Sequence, residues 1–176
     1  TKYFSSITRA RYNHLLDQFE AYRNTNRILD IGCGHGFFLE VAKERGWEVF
    51  GTELSEAAIA DCESKGITMH KGKINNDSFD SDSFDIVVSI EMIEHINYSI
   101  DCVTQIQRIL RKGGFCYITT PNFNSLLRYY LKEKYDVIEY PNHLCYYTKK
   151  TLGDLFSSKG LQPKCIKTTG FSLTRF

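Results

Sequence analysis

The sequence predicts an α/β fold, a doubly wound and mostly parallel sheet with helices on both faces, in three layers. Three observations carry this. The apolar run Arg27-Ile28-Leu29-Asp30-Ile31 meets glycines at 32, 34 and 36 and then the apolar helix signal Phe37-Phe38-Leu39, so a strand, a bare turn and a helix follow one another directly. Short strand signals alternate with helical ones from there to Thr120. The run Phe84-Asp85-Ile86-Val87-Val88-Ser89-Ile90 is apolar toward both faces, as a parallel strand covered on both sides requires.

The elements follow in order. Tyr12 to Tyr22 places Leu15, Leu16 and Phe19 at helical spacing, an amphipathic helix ahead of the sheet. Strand one spans 27–31, and the helix from Phe37 is closed by Gly46. Strand two runs from Trp47 to Thr52; Ser55 caps a helix through Lys65, Gly66 closes it, and Ile67 to His70 forms strand three. A polar loop over 72–83 leads to strand four at 84–90, helices over 91–111, a turn at Gly113-Gly114 and strand five from Phe115 to Thr120. Beyond Pro121 a connection over 121–147, with a short helix from Ser125 to Lys134, is long enough to serve as a lid or binding loop. Thr148 to Gly160 is the last helix and Leu161 to Thr169 a sixth strand. The organisation expected is a single domain over 1–176: a helical cap at 1–26, a ligand-binding core at 27–120, the 121–147 insertion, and a final helix and strand at 148–176.

Composition excludes some roles. With 22 basic and 21 acidic residues there is no overall charge to draw the chain to nucleic acid or anionic membrane. No run approaches the roughly eighteen apolar residues that span a bilayer, so the reading is a cytoplasmic protein, monomer or homodimer. The six cysteines stand singly, without zinc spacing, and read as reduced thiols.

The glycine turn offers peptide groups to a ligand at the carboxyl end of a strand, where open α/β sheets bind nucleotides. The dinucleotide fingerprint G-x-G-x-x-G is not met: the third glycine comes one residue early, and Phe37 stands in its place. No Gly-Lys-Ser/Thr follows to make a phosphate loop. Asp30 at the strand end would repel a phosphate and attract a cation such as an amino-acid ammonium. An NAD-dependent oxidoreductase therefore stands as the rival reading, with a non-catalytic cofactor-binding protein as a second.

Leu29-Asp30-Ile31-Gly32-Cys33-Gly34-His35-Gly36 resembles the first motif of class I S-adenosylmethionine-dependent methyltransferases, and Ser89-Ile90-Glu91-Met92-Ile93-Glu94-His95-Ile96 resembles the ubiquinone-biosynthesis O-methyltransferase-like group among them. The resemblance implies a Rossmann-like fold, S-adenosylmethionine as methyl donor, S-adenosylhomocysteine as product and a small-molecule acceptor; O-methylation is preferred over N-methylation because a hydroxyl must lose its proton and a histidine can take it. The resemblance also implies a cofactor site of Asp30, Gly32, Cys33, Gly34, Glu53, Leu54, Lys73, Ile74, Ile90 and Glu91. In it Asp30 holds the ammonium and Glu53 both ribose hydroxyls, while Lys73 stands where the family has an acid for adenine, leaving Asn75, Asn76 or Asp77 to replace it. The family's seventh, antiparallel strand has no residues left to form it.

For the acceptor side the resemblance implies His95 and His143 as catalytic residues. A helix beginning near Glu91 would put residues 91, 94 and 95 on one face. A divalent metal at Glu91, Glu94, His95 and His143 is the lesser expectation beside His95 as general base. Tyr129, Tyr130, Tyr135, Tyr140, Tyr146 and Tyr147 are expected to wall the acceptor pocket, and Tyr3, Arg9 and Arg11 to close over the methionine carboxylate.

Overall fold

A computed structural model describes residues 5–132 and 138–168 of the chain. Five parallel strands form one sheet: β1 (Arg27–Ile31), β2 (Glu48–Glu53), β3 (Thr68–Lys71), β4 (Phe84–Ile90) and β5 (Leu110–Thr119), in the order β3-β2-β1-β4-β5. β1 lies centrally between β2 and β4, so the chain reverses its direction of winding there and a crevice opens at the carboxyl ends of the strands.

Alternation along the strands sends side chains into two cores. Ile28, Ile86 and Val88 point to one face with Leu16 and Phe19 of α1 (Ser6–Phe19), Phe38, Leu39 and Val41 of α2 (Phe37–Glu44), and Cys62 of α3 (Glu56–Ser64). Leu29 and Val87 point to the other, against Val103, Ile106 and Ile109 of α4 (Ser99–Ile109) and Phe156 of α6 (Lys149–Ser157). Each such side chain contributes about 1.5–3 kcal/mol on burial. These are the three layers expected.

Caps set the helix bounds. Ser5 accepts from the Thr8 amide at 3.2 Å, so α1 starts well before the apolar spacing does. Ser55 caps α3, as expected, accepting from the Ala58 amide at 3.4 Å. Thr148 caps α6 in a reciprocal box with Thr151. The short α5 (Leu126–Leu131) is capped by Ser125.

A buried carboxylate fixes the entry to β1. Asp85 of β4 accepts from the peptide amides of Asn24, Thr25 and Asn26 at 2.8–3.0 Å and from Arg111 Nε. Burial pushes its carboxyl up, and the Arg111 and peptide donors more than offset this, leaving it below the ordinary carboxylate range. Gly114 lies so near that a Cβ there would sit 2.8 Å from the Asp85 carbonyl oxygen, which is why β5 needs glycine at its bend.

Three expectations are corrected. Residues 161–168 form no strand: Pro163 has no amide hydrogen to give a ladder, and Cys165 is exposed. The outer side of β5 is accordingly unpaired among the described residues. Helical turns do fall within 91–111, but no helix begins at Glu91. Glu91 adopts φ +50 and donates its amide to the Thr119 carbonyl at 3.0 Å, which bends the chain into a single 3-10 turn at Ile93–His95 before α4 begins. Strand five begins at Leu110, five residues early, because the glycine pair makes a register shift within the strand and not a separate turn.

Candidate active site

The crevice at the end of β1 has a volume of about 110 Å³ and is lined by Tyr12, Asp30, Gly32, Cys33, Phe37, Phe38 and Ile90. Asp30 is its buried polar group. Its Oδ1 has no hydrogen-bond partner among the described residues. Burial first, then the nearby Glu53 charge, pushes the Asp30 carboxyl up to about 8. Such a group gains by meeting a cation.

The turn itself is tightly held. The Gly32 and Cys33 amides both donate to the Thr52 carbonyl, at 3.0 and 3.1 Å, and the Gly34 amide to Glu53 Oε2 at 3.0 Å. Glu53 Oε1 accepts from the Leu54 and Ser55 amides at 2.6 and 3.0 Å, so the carboxylate lies fixed at the opening of α3. Gly32 is required by a close approach: at φ +74 a Cβ would meet Met92 Cγ at 2.4 Å. Gly34, at φ +53, faces open space, with nothing within 4 Å of where its Cβ would be. An orphaned acid and a bare peptide opening on space are what a ligand with a cationic end and a flat edge would fill.

A second cluster follows β4. Glu94, His95 and His143 bring one ligand atom each to within 4.8 Å of one another. His95 Nδ1 lies 2.7 Å from the Asn142 carbonyl oxygen, which can only accept, so Nδ1 carries the proton and Nε2 presents its lone pair. That Nε2 is 4.0 Å from Glu94 Oε1. The Glu94 carboxyl is raised chiefly by burial, while Thr120 donates to its Oε2 at 2.9 Å. The Glu94 carbonyl oxygen accepts the Leu144 and Cys145 amides at 2.8 and 3.0 Å, and this bolts the segment carrying His143 over β4. The His95 and His143 rings stand edge to face, 4.8 Å apart.

Asp30, Gly32, Cys33 and Ile90 thus share the crevice, and Gly34, Glu53 and Leu54 join it through the turn's hydrogen bonds. Glu91 is an exposed residue outside the Glu94-His95-His143 group, which corrects the shared helical face: the 3-10 turn rotates it away. Lys73 extends over the Tyr98 ring at 5.0 Å, and Ile74 is buried in the α4-side core; neither lines the crevice. Asn75 Oδ1 is engaged by the Asp77 amide and Asn76 Oδ1 by Gln105 Nε2.

The tyrosines divide. Tyr130 and Tyr140 are exposed, Tyr129 is exposed and bonds Asn124, Tyr146 lies beside Phe123 and His143, and Tyr147 is in the core. Tyr135 and Tyr3 lie outside the described residues. Arg9 is turned to Glu44 of α2 and Arg11 is exposed, so neither arginine lines the crevice. Sequence reasoning missed Tyr12, Phe37 and Phe38. Tyr12 was legible as the start of the helical spacing, but its edge-on contact with Phe38, rings 5.4 Å apart, depends on how α1 crosses α2.

A central strand ending in a bare turn, flanked by a second strand that ends in an acid, defines a Rossmann-like domain that binds ligand at the switch point of its sheet. The family model described as a methyltransferase domain matches residues 4–165, and the chain belongs to that family. It is similar to ubiquinone biosynthesis O-methyltransferases, with 31% identity over 104 residues to that of Roseobacter denitrificans (56% of this chain, 42% of the relative) and 29% over 105 residues to that of Pseudomonas aeruginosa (56% and 45%). The matched part spans less than half the length of these relatives. Among solved structures it is similar to a SAM dependent methyltransferase from Archaeoglobus fulgidus, with 27% identity, a TM-score of 0.71, and coverage of 88% of this chain and 67% of that one. No helix among the described residues is long and apolar enough to cross a membrane.

Proposed function

We propose that this chain binds S-adenosylmethionine in the β1 crevice and transfers its methyl group to the hydroxyl of a small-molecule acceptor, releasing S-adenosylhomocysteine. The observation that carries the reading is the buried, unpartnered Asp30 Oδ1 beside bare turn peptides. The ammonium of the cofactor's amino-acid end supplies the missing partner, and Glu53, already fixed by three amides, presents its remaining lone pairs to the ribose hydroxyls. The dinucleotide rival is disfavoured by the same bonds. The amides of Gly32, Cys33 and Gly34, which would cradle a pyrophosphate, are engaged by Thr52 and Glu53, and two carboxylates stand nearby.

The bound sulfonium supplies an activated methyl carbon and a neutral leaving group. The chain's part is alignment and proton removal. His95, with Nδ1 anchored on Asn142, accepts the acceptor hydroxyl proton at Nε2, and the Glu94 carboxylate 4.0 Å away favours the resulting imidazolium. His143 and Tyr146 border the acceptor. The similarity to O-methyltransferases supports oxygen as the accepting atom. A second reading, a divalent cation held by Glu94, His95 and His143, is favoured by the spacing of those three side chains.

Release of S-adenosylhomocysteine is the test, with purified protein, S-adenosylmethionine and pooled phenolic and aliphatic hydroxyl compounds. His95→Gln is expected to leave cofactor affinity intact and to lower turnover by about 10²–10⁴-fold. Full turnover in that variant would remove His95 as base, and binding of NAD in place of S-adenosylmethionine would overturn the whole reading.

A further inference from the structure

Two thiols meet at the glycine turn. Cys33, between Gly32 and Gly34, lines the crevice, and Cys62 of α3 is fully buried next to it. Both turn to one acceptor, the Gly34 carbonyl, with Cys33 Sγ at 3.7 Å and Cys62 Sγ at 3.3 Å, and the two side chains are hydrogen-bonded to each other. Two glycines leave room for the sulfurs. A Cβ at Gly51 of β2 would lie 2.7 Å from Cys33 Sγ, and one at Gly36 would lie 2.8 Å from Cys62 Sγ. Gly51 sits mid-strand, where a glycine weakens a sheet unless a close approach requires it. Burial pushes both thiols up, and the Asp30 charge adds to this at Cys33. Exchange at the pair is therefore slow at neutral pH, but with neither thiolate stabilised the reduced form has no special resistance to oxidation.

We infer that Cys33 and Cys62 form a dithiol modification site, closed to an internal disulfide by a low-molecular-weight disulfide that enters the crevice. The Cys33 thiolate attacks one sulfur of the reagent and expels the other as a thiolate. The Cys62 thiol, giving its proton to that thiolate, then attacks Cys33 Sγ and expels the second reagent sulfur. Two protein thiols are oxidised, and one reagent disulfide is reduced to two thiols. Closure draws both sulfurs off the Gly34 carbonyl and ties the turn to α3. Resting on the proposed cofactor site, the closed turn binds cofactor less well, and bound cofactor in turn covers Cys33 and protects the pair.

The experiment equilibrates the protein with mixtures of reduced and oxidised glutathione, with and without saturating S-adenosylhomocysteine, and reads the linkages by acid quench, alkylation and peptide mapping. The expected map shows a disulfide between residues 33 and 62 in the wild type, and a glutathione adduct held on Cys33 in Cys62→Ala. By calorimetry the oxidised protein, with the exposed Cys165 replaced by serine, is expected to bind S-adenosylhomocysteine about tenfold more weakly than the reduced one, the scale of one hydrogen bond. Reciprocity then makes the couple about 30 mV more oxidising when the ligand is saturating. Thiols at 33 and 62 that stay reduced at every glutathione ratio would overturn the site, as would pairing of Cys33 with another cysteine. A 33–62 disulfide that leaves affinity unchanged would overturn its coupling to the cofactor. Failure of the reduced wild type to bind S-adenosylhomocysteine would bring down the cofactor reading, and the coupling with it, while the mapped disulfide would stand on its own.

Discussion

Asp30→Asn is expected to make the ligand-free protein more stable at neutral pH while it damages the cofactor site. The folded carboxyl is raised from 3.8 to about 8, so between those values folding must retain a proton that the unfolded chain has released. Each pH unit above 3.8 costs about 1.4 kcal/mol, which amounts to about 4 kcal/mol by pH 7. Asparagine has the same shape and no such penalty, but its buried amide lacks acceptors and loses about 1–3 kcal/mol. The net gain at pH 7 is therefore about 1–3 kcal/mol, or several degrees in Tm at about 2–4 °C per kcal/mol for a chain of this size. The sign reverses with acid. A raised folded pKa means that wild-type stability is complete below 3.8 and declines up to about 8, so near pH 5 the penalty has shrunk to about 2 kcal/mol and the two proteins converge. Urea unfolding at pH 5, 6, 7 and 8 reads this directly, with affinity for S-adenosylhomocysteine expected to fall about 10–100-fold in parallel. A stability difference that does not change with pH would refute the reasoning, because it would mean that Asp30 is ionised in the folded protein.

Two glycine substitutions separate fold from site. Gly32→Ala drives a methyl into Met92 and is expected to lower stability by about 1–3 kcal/mol in thermal melts. Gly34→Ala meets nothing within 4 Å, so it loses only the roughly 1–2 kcal/mol of a left-handed alanine, yet puts a methyl on the ligand face; weaker cofactor binding with a small Tm change is expected, and unchanged binding would place the ligand elsewhere. Asp85→Ala leaves Arg111 and three amides without their acceptor and is expected to lose about 3–5 kcal/mol in urea melts at pH 7. Because the folded Asp85 carboxyl is depressed, that contribution is present above pH 3.8 and lost as pH falls through its folded value, so the mutant and wild type should approach each other in acid.

The two halves of the site were unequally legible. Asp30, Gly32 and Cys33 lie where a strand hands over to a helix, and a single local pattern of apolar run, glycines and apolar run fixes their position in space. The same locality made β1 to β4 readable to within a residue at most ends. Glu94, His95 and His143 come together by a different route. A positive φ at Glu91 replaces the expected helix with a 3-10 turn, and the Glu94 carbonyl captures amides from a segment some fifty residues later. Neither has a periodic signature. The helical spacing of residues 91, 94 and 95 pointed to Glu91 as a neighbour of His95, and the backbone turned it to solvent.

The sixth strand failed for a related reason. Cys165 and Ile166 have strand-like character, but a strand exists only by pairing, and the Pro at 163 takes a donor out of the ladder that 161–168 would need beside β5. The crevice obeys the opposite rule. Its turn is complete in hydrogen bonds before any ligand arrives, since Thr52 and Glu53 engage all three amides from Gly32 to Gly34. Selectivity must then come from what the turn leaves unsatisfied: one buried carboxyl group whose Oδ1 has no partner among the described residues. A pocket that denies its peptide donors to phosphates and holds a buried acid without a partner favours, on the proposed reading, a cationic ligand over a phosphate before any side chain touches the acceptor.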